Sequence, residues 1–312
     1  MKLTSLFRGV FAAFLCSSGI ALAGGEGWTS DFPAAQKEAR EQKKDLLLDF
    51  TGSDWCGYCI KLNEEVFKTD VFKAAVKDKF VLVEIDFPQD ESKISEQTKK
   101  QNQELARKYP IEGYPTIILC DAEGRPYAVT GYQQGGAEPY VKNLEKLVEI
   151  KKTRDEKLKL AESSEGVAKA KALLTALDAM ELPAEMQANF YGDIADKIKA
   201  ADPKDETGFQ KKQQSAEKIA KYQQELQKLG ESGNFDGALA LTDKTIAEGG
   251  LEPETLQQVT LTKAMILANQ GKFDEAIKVV EESKKIAPDS EITPKLGDFI
   301  KELQNAKEQK EN

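Results

Sequence analysis

The chain reads as an α/β domain, with a mixed central sheet flanked by helices, followed by an all-α helical-repeat region. Three observations predict this. Short apolar runs alternate with helix-patterned segments as far as about residue 150. Strand signals then stop, and Lys, Glu, Gln, Ala and Leu dominate. Within that remainder, Gly233-Asn234-Phe235-Asp236-Gly237-Ala238-Leu239 returns 38 residues later as Gly271-Lys272-Phe273-Asp274-Glu275-Ala276-Ile277. Helix–turn–helix units at such a spacing stack into arrays.

The elements follow in order. Residues 26–44 read as a polar helix carrying Trp28, Phe32 and Ala35. Leu46 to Phe50 is a short apolar run ending in Thr51-Gly52-Ser53-Asp54, a buried strand and a tight loop. Cys56 opens a helix whose Ile60, Leu62, Val66 and Phe67 form an apolar stripe, and a second helix carries Phe72, Ala75 and Val76. Phe80 to Phe87 alternates as a strand, with Val81, Val83, Ile85 and Phe87 on one face. Residues 88–97 form a polar excursion and 98–109 a helix ending near Pro110. Thr116–Leu119 and Tyr127–Thr130 pair across the turn at Asp121-Ala122-Glu123-Gly124, and a helix from about Pro139 to Ile150 closes the unit. Residues 151–165 are a charged connection, either helix or linker. Helices at 167–181 and 185–200 are separated by Pro183 and precede the repeat.

Composition excludes several functions. With no histidine, catalysis by Ser-His-Asp or Cys-His and imidazole metal sites are absent. The net charge of −9 argues against nucleic acid as a partner. Residues 1–23 read as a signal peptide: Lys2 and Arg8 precede an apolar run from Gly9 to Ile20, and Ala21-Leu22-Ala23 is a cleavage site before Gly24. A retained anchor ranks second, because the run is shorter than the ~20 residues of a span. Leu15 argues against lipidation at Cys16. The expected domains are therefore 1–23 signal, 24–150 α/β and 151–312 helical. The expected location is periplasmic or secreted, in an oxidising compartment.

Cys56-Gly57-Tyr58-Cys59 lies where a strand meets a helix. At that spacing the two sulfurs share a face and reach disulfide geometry, so the pair is a candidate redox-active disulfide. Cys56 sits at the positive end of the helix dipole, which favours its thiolate, while Cys59 lies one turn further in. Cys56 is thus expected to attack a substrate disulfide, and Cys59 to resolve the mixed disulfide. A zinc site lacks ligands, since Cys120 is the only other cysteine of the mature chain and there is no histidine. A purely structural bridge closing so short a loop would constrain the unfolded chain little. No metal or cofactor is expected. Cys120 reads as a buried, inert thiol.

Asp49-Phe50 ahead of Trp55-Cys56-Gly57-Tyr58-Cys59, and Gly113-Tyr114-Pro115-Thr116 leading into Ile117-Ile118-Leu119, resemble the thioredoxin superfamily. The likeness is to exported bacterial members with the Phe50-to-Cys59 segment, and it covers about residues 26–150. It implies a thioredoxin-like fold for that part, with Cys56 as nucleophile, Cys59 as resolving thiol and Pro115 as a cis-proline facing the dithiol. A cis Pro115 would expose the backbone of Tyr114 to an extended substrate. Trp55, Tyr58 and Tyr114 would form an apolar rim for peptides, or serve as ordinary packing. Asp49 is read as a buried carboxylate exchanging a proton with Cys59, against the alternative of an exposed strand end. Tyr58 replaces the proline of cytosolic thioredoxin. The Gly57-Tyr58 dipeptide also resembles periplasmic disulfide isomerases, so reductase and isomerase are not separated.

The second repeat copy resembles a tetratricopeptide repeat at Ala264, Gly271, Phe273, Ala276 and Pro288; the first matches at Gly233, Phe235 and Ala238. The expected partners are disulfides of exported proteins and a membrane electron donor. A protein partner or second protomer is expected on the helical region. The alternative to an enzyme is an interaction protein whose thioredoxin-like part is a redox-passive scaffold.

Overall fold

A computed structural model describes residues 25 and 27–311 of the chain. The expected signal peptide and Cys16 lie outside the described residues. The chain divides into two compact units. One holds the residues up to Leu160 together with Thr175–Ile194, and the other holds Ala161–Leu174 and the residues from Ala195 on.

The first unit is built on a five-stranded mixed sheet: β1 (Trp28–Thr29), β2 (Asp45–Thr51), β3 (Phe80–Asp86), β4 (Thr116–Cys120) and β5 (Pro126–Thr130), in the order β1-β3-β2-β4-β5. β1, β3 and β2 run parallel, and β4 and β5 are antiparallel to their neighbours. The helices are α1 (Phe32–Gln42), α2 (Gly57–Leu62), α3 (Asp70–Val76), α4 (Glu96–Lys108) and α5 (Ala137–Glu162). A π-helical turn, Asn63–Phe67, prolongs α2.

The structure corrects the reading of 26–44 as one helix. Trp28 and Thr29 pair with β3, and α1 starts only at Phe32, where Asp31 accepts the Ala34 N–H at 2.9 Å as its N-cap. Pro33 suits the first turn and would fit no earlier one. β3 is buried along its whole length, not on one face only. It is an inner strand between β1 and β2, and side chains on both of its faces are buried.

Residues 151–160 and 175–194 pack in this unit. α5 runs on to Glu162, and α6 (Gly166–Asp178) and α7 (Ala184–Ala201) follow. The Arg154 guanidinium is buried, donating to Asp121 Oδ2 at 3.0 Å and to the Tyr191 hydroxyl at 2.9 Å. Tyr191 in turn donates to the Pro126 carbonyl, and Phe190 packs 4.5 Å from the ring of Tyr109. These long-range contacts, invisible to local pattern, carry the α/β unit past the expected boundary at 150.

The second unit is helical: α8 (Phe209–Glu231), α9 (Phe235–Ala247), α10 (Pro253–Asn269), α11 (Phe273–Ile286) and α12 (Leu296–Glu311). Gly233 and Gly271 precede α9 and α11 with φ of 67° and 79°, a left-handed turn that favours glycine in both repeat copies. Ala264, Leu267, Ala276, Val280 and Leu296 form its core across α10, α11 and α12. Small residues at 264 and 276 let the backbones of α10 and α11 approach closely.

Candidate functional site

The site forms where β2 ends. The apolar strand carries the chain through Thr51 to a tight loop, and Cys56 then caps α2. The Cys56 Sγ accepts the Cys59 N–H at 3.2 Å, filling the place of an N-cap oxygen. Cys56 and Cys59 are joined as a disulfide with their Cα atoms 5.2 Å apart. Both are largely buried, Cys59 at 4% exposure and Cys56 at 7%.

The loop is fixed by acids and by an aromatic ring. Asp86, at the end of β3, accepts the Ser53 N–H at 2.9 Å and the Ser53 hydroxyl at 2.7 Å. Asp54 accepts from the backbone of Gln89 and Asp90 and from Lys93, and these bonds, that of Gln89 foremost, hold its carboxyl down to about 2. The polar excursion at 88–97 thus braces the dithiol loop. Trp55 donates its indole N–H to the Phe87 carbonyl at 2.8 Å and lies over Gly52, where a Cβ would collide with the ring. Gly52 is therefore required for this close approach.

An aromatic rim surrounds the dithiol. Trp55 and Tyr58 are exposed, at 48% and 60%. Tyr114 meets Trp55 edge-on at 5.5 Å and Phe87 at 5.6 Å; Tyr58 lies 5.4 Å from Tyr132. The Tyr114–Pro115 peptide bond is cis, at the entrance to β4. The structure brings together Cys56, Cys59, Trp55, Tyr58 and Tyr114. Phe87 and Tyr132 belong to the rim although nothing local in the sequence marks them.

Asp49 lies beneath the dithiol at 5% exposure, and its Oδ1 is buried without a hydrogen-bond partner. Burial foremost, then the charges of Glu84 and Asp86, push its carboxyl well above the ordinary value. A cavity of about 10 Å³ connects Asp49 with Cys59 and Glu84, and Thr51, Ser53 and Asn63 also line it. That space holds about one water. Glu84, 2% exposed and directly across from Asp49 on β3, was not singled out by sequence reasoning. Cys120 is fully buried at the far end of the sheet, opposite Leu46, and burial foremost pushes its thiol up. It is distant from the dithiol and not reactive as a thiolate. Among the described residues no three Cys, Asp or Glu side chains gather as a metal site, and no helix is long and apolar enough to cross a membrane.

A strand-to-helix dithiol beside a proline-led antiparallel strand, on a mixed sheet of this order, defines a thioredoxin-like domain. The chain belongs to the thioredoxin-like family: a model of the thioredoxin-like domain matches residues 32–147. It is similar to the disulfide bond reductase DsbH of Chlamydia pneumoniae, 35% identical over 40% of this chain and 74% of that protein. It is also similar to the thioredoxin-related protein DsbJ of Chlamydia pneumoniae, 35% identical over 31% of this chain and 28% of that protein. A solved DsbH oxidoreductase structure matches with 33% identity over 39% of this chain and 83% of that one, at a TM-score of 0.38.

Proposed function

We propose that this protein is an exported thiol–disulfide oxidoreductase that reduces disulfides of other exported proteins. The observation that carries the reading is the Cys56–Cys59 pair at a helix start, rimmed by exposed Trp55 and Tyr58 and underlain by a buried acid. Similarity to a disulfide bond reductase supports the reductive direction. Cys56, next to the unpaired N–H groups of α2, attacks the substrate disulfide as thiolate. One substrate sulfur leaves as a thiolate, and a mixed disulfide remains on Cys56. Cys59 then gives its proton to Asp49 and attacks Cys56 Sγ. The Cys56–Cys59 bond forms, the bond to substrate breaks, and the second substrate thiolate departs. The protein dithiol is oxidised by two electrons and the substrate disulfide is reduced by two. Trp55, Tyr58 and Tyr114 bind the peptide around the disulfide, and Pro115 presents the backbone of Tyr114 to it. A membrane electron donor restores the dithiol. The helical unit, read as tetratricopeptide-like, docks a protein partner or a second protomer.

The test is a trap. Cys59→Ser in the full chain is expected to accumulate mixed disulfides with exported proteins, and Cys56→Ser to accumulate none. A reduction potential between those of structural bridges and strong oxidants should accompany it; a potential below about −300 mV would mark the bridge as structural and refute the function.

A further inference from the structure

Tyr140, on α5, is fully buried, and its hydroxyl has no hydrogen-bond partner among the described residues. Its ring is held as a phenylalanine ring would be: Phe67 meets it edge-on at 6.1 Å, and Phe72 lies 6.5 Å away. A buried hydroxyl left unbonded weakens a fold, and phenylalanine would fill the same space without that cost. Packing therefore does not account for the hydroxyl, but its surroundings do. Phe67 ends the π-helical turn that prolongs α2, and Asn63, at the start of that turn, lines the small cavity with Asp49 and Cys59. α5 thus packs against the segment that covers Asp49. The Asp49 Oδ1 is likewise buried without a hydrogen-bond partner, so a donor and an acceptor, both unsatisfied, lie within electrostatic reach of each other. The titratable groups facing Asp49 are Glu84 and Asp86 from β3, Cys59 from α2 and Tyr140 from α5, while β4 sets the neutral Ile117 beside it.

We propose that Tyr140 is a positioning residue for the resolving step: its hydroxyl turns to the Asp49 carboxylate and donates to it, directly or through one water, so that the base is aimed at Cys59 and stabilised in its charged form. The inference rests on the reading of Cys59 as the resolving thiol and Asp49 as its base. Burial pushes the Asp49 carboxyl up and disfavours the ionised form that accepts a proton. The hydroxyl offsets part of that penalty, because a hydrogen bond to an ionised acceptor is much stronger than one to a neutral acid. As Cys59 attacks, its S–H proton passes to Asp49 and the Cys56–Cys59 bond forms. The bond from Cys56 to the substrate breaks, and the substrate sulfur leaves with the electron pair as a thiolate. Tyr140 touches neither sulfur. It keeps its own proton throughout, since burial foremost, and then the charge of Asp49, push its hydroxyl far above the ordinary value.

The experiment is a single-turnover reaction of the reduced full-length protein with a symmetrical fluorescent peptide disulfide. Attack by Cys56 frees one half of the peptide and resolution by Cys59 frees the other, so fluorescence anisotropy separates the two phases. The rate of the second phase is recorded against pH. The wild-type rate is expected to rise with pH through a midpoint. Tyr140→Phe, which keeps the ring and removes the donor, moves that midpoint up by about one pH unit, so resolution below it slows about tenfold. In an Asp49→Asn background Tyr140→Phe should change nothing further, because the hydroxyl acts only through the carboxylate. A merely structural role would slow both backgrounds alike. An unchanged midpoint in Tyr140→Phe, or equal slowing in both backgrounds, overturns the proposal. Asp49→Asn alone separates the two readings. If it removes the titration while Tyr140→Phe leaves the midpoint in place, only the role of Tyr140 fails; if it leaves the profile intact, the base itself is misassigned and the proposal falls with it. Should Tyr140→Phe fail to fold, carbon-13 resonances of the tyrosine Cζ atoms in the reduced wild-type protein decide. A Tyr140 shift that follows the titration of Asp49 supports the contact, and one that ignores it overturns it.

Discussion

Asp49→Asn should stabilise the protein as it disables it. The folded carboxyl has its proton affinity raised by burial first, and then by Glu84 and Asp86; in the unfolded chain it titrates near 3.8. Below that value both states are protonated, and the group has no pH-dependent effect. Above it the unfolded chain releases a proton that the folded chain retains. Wild-type stability therefore falls as pH rises, until the folded carboxyl also ionises. With one proton of difference the slope is about 1.4 kcal/mol per pH unit. Asparagine has no such slope. Between about pH 5 and about pH 7 the variant should therefore gain relative to wild type for as long as the folded carboxyl keeps its proton. The assay is denaturant unfolding of the oxidised full chain, followed by tryptophan emission. The only tryptophans are Trp28 and Trp55, both in the α/β unit, so the signal reports that unit. The reduced variant should nonetheless resolve mixed disulfides more slowly, since Cys59 has lost its base. A stability difference that stays constant across this range would refute the burial argument, and with it the reason for assigning Asp49 as a proton carrier.

Two further outcomes follow from the geometry. Arg154→Ala removes a guanidinium that is only 4% exposed and leaves Asp121 buried beside it without its charge partner, so the α/β unit should lose about 3–5 kcal/mol in the same unfolding assay; a loss below ~1 kcal/mol would mean the pair is solvated. Tyr58→Ala alters a side chain that is 60% exposed, so stability should stay within ~0.5 kcal/mol while KM for a peptide disulfide rises about fivefold and reduction of a small aliphatic disulfide is unchanged. Equal losses on both substrates would place Tyr58 in the chemistry and not in peptide binding.

The dithiol was legible because its chemistry is local. Two cysteines three apart, after an apolar strand and at a helix start, determine their own geometry. Asp49 was legible as the acid in an otherwise apolar run, and the unpartnered Oδ1 shows what that position does to it. Glu84 escaped for a physical reason. In a strand read by alternation, Val81, Val83 and Ile85 claim the buried face and Glu84 falls on the other. β3 is buried at every position, so that other face is interior as well. Trp28 and Thr29 escaped because a two-residue strand has no period to detect. Phe87, Tyr132, Tyr191 and Phe190 owe their places to contacts across long stretches of chain, which no window along the sequence samples. The repeat at Gly233 and Gly271 was legible because a left-handed turn before each helix demands glycine in both copies.

The two ends of β2 treat buried acids differently, and the difference bears on function. At its start, Asp45 accepts from Lys151 and from the Tyr127 hydroxyl, and nearby Asp121 is met by Arg154. There the fold supplies a cation for each acid, which makes ionised carboxylates tolerable in the interior. At its end, Asp49 and Glu84 line one cavity with Cys59, and no cation among the described residues lines it with them. The buried Asp49 Oδ1, without a hydrogen-bond partner, is a cost to folding. Had the end of the strand served only as core, an apolar pair like Leu48 and Val83, the register neighbours one step before it, would have filled it at no such cost. The unpartnered Asp49 Oδ1 occurs where the cavity meets Cys59. A perturbed acid beside a dithiol is the arrangement expected of a proton-transfer site, whereas the paired acids at the other end are those of a structural network.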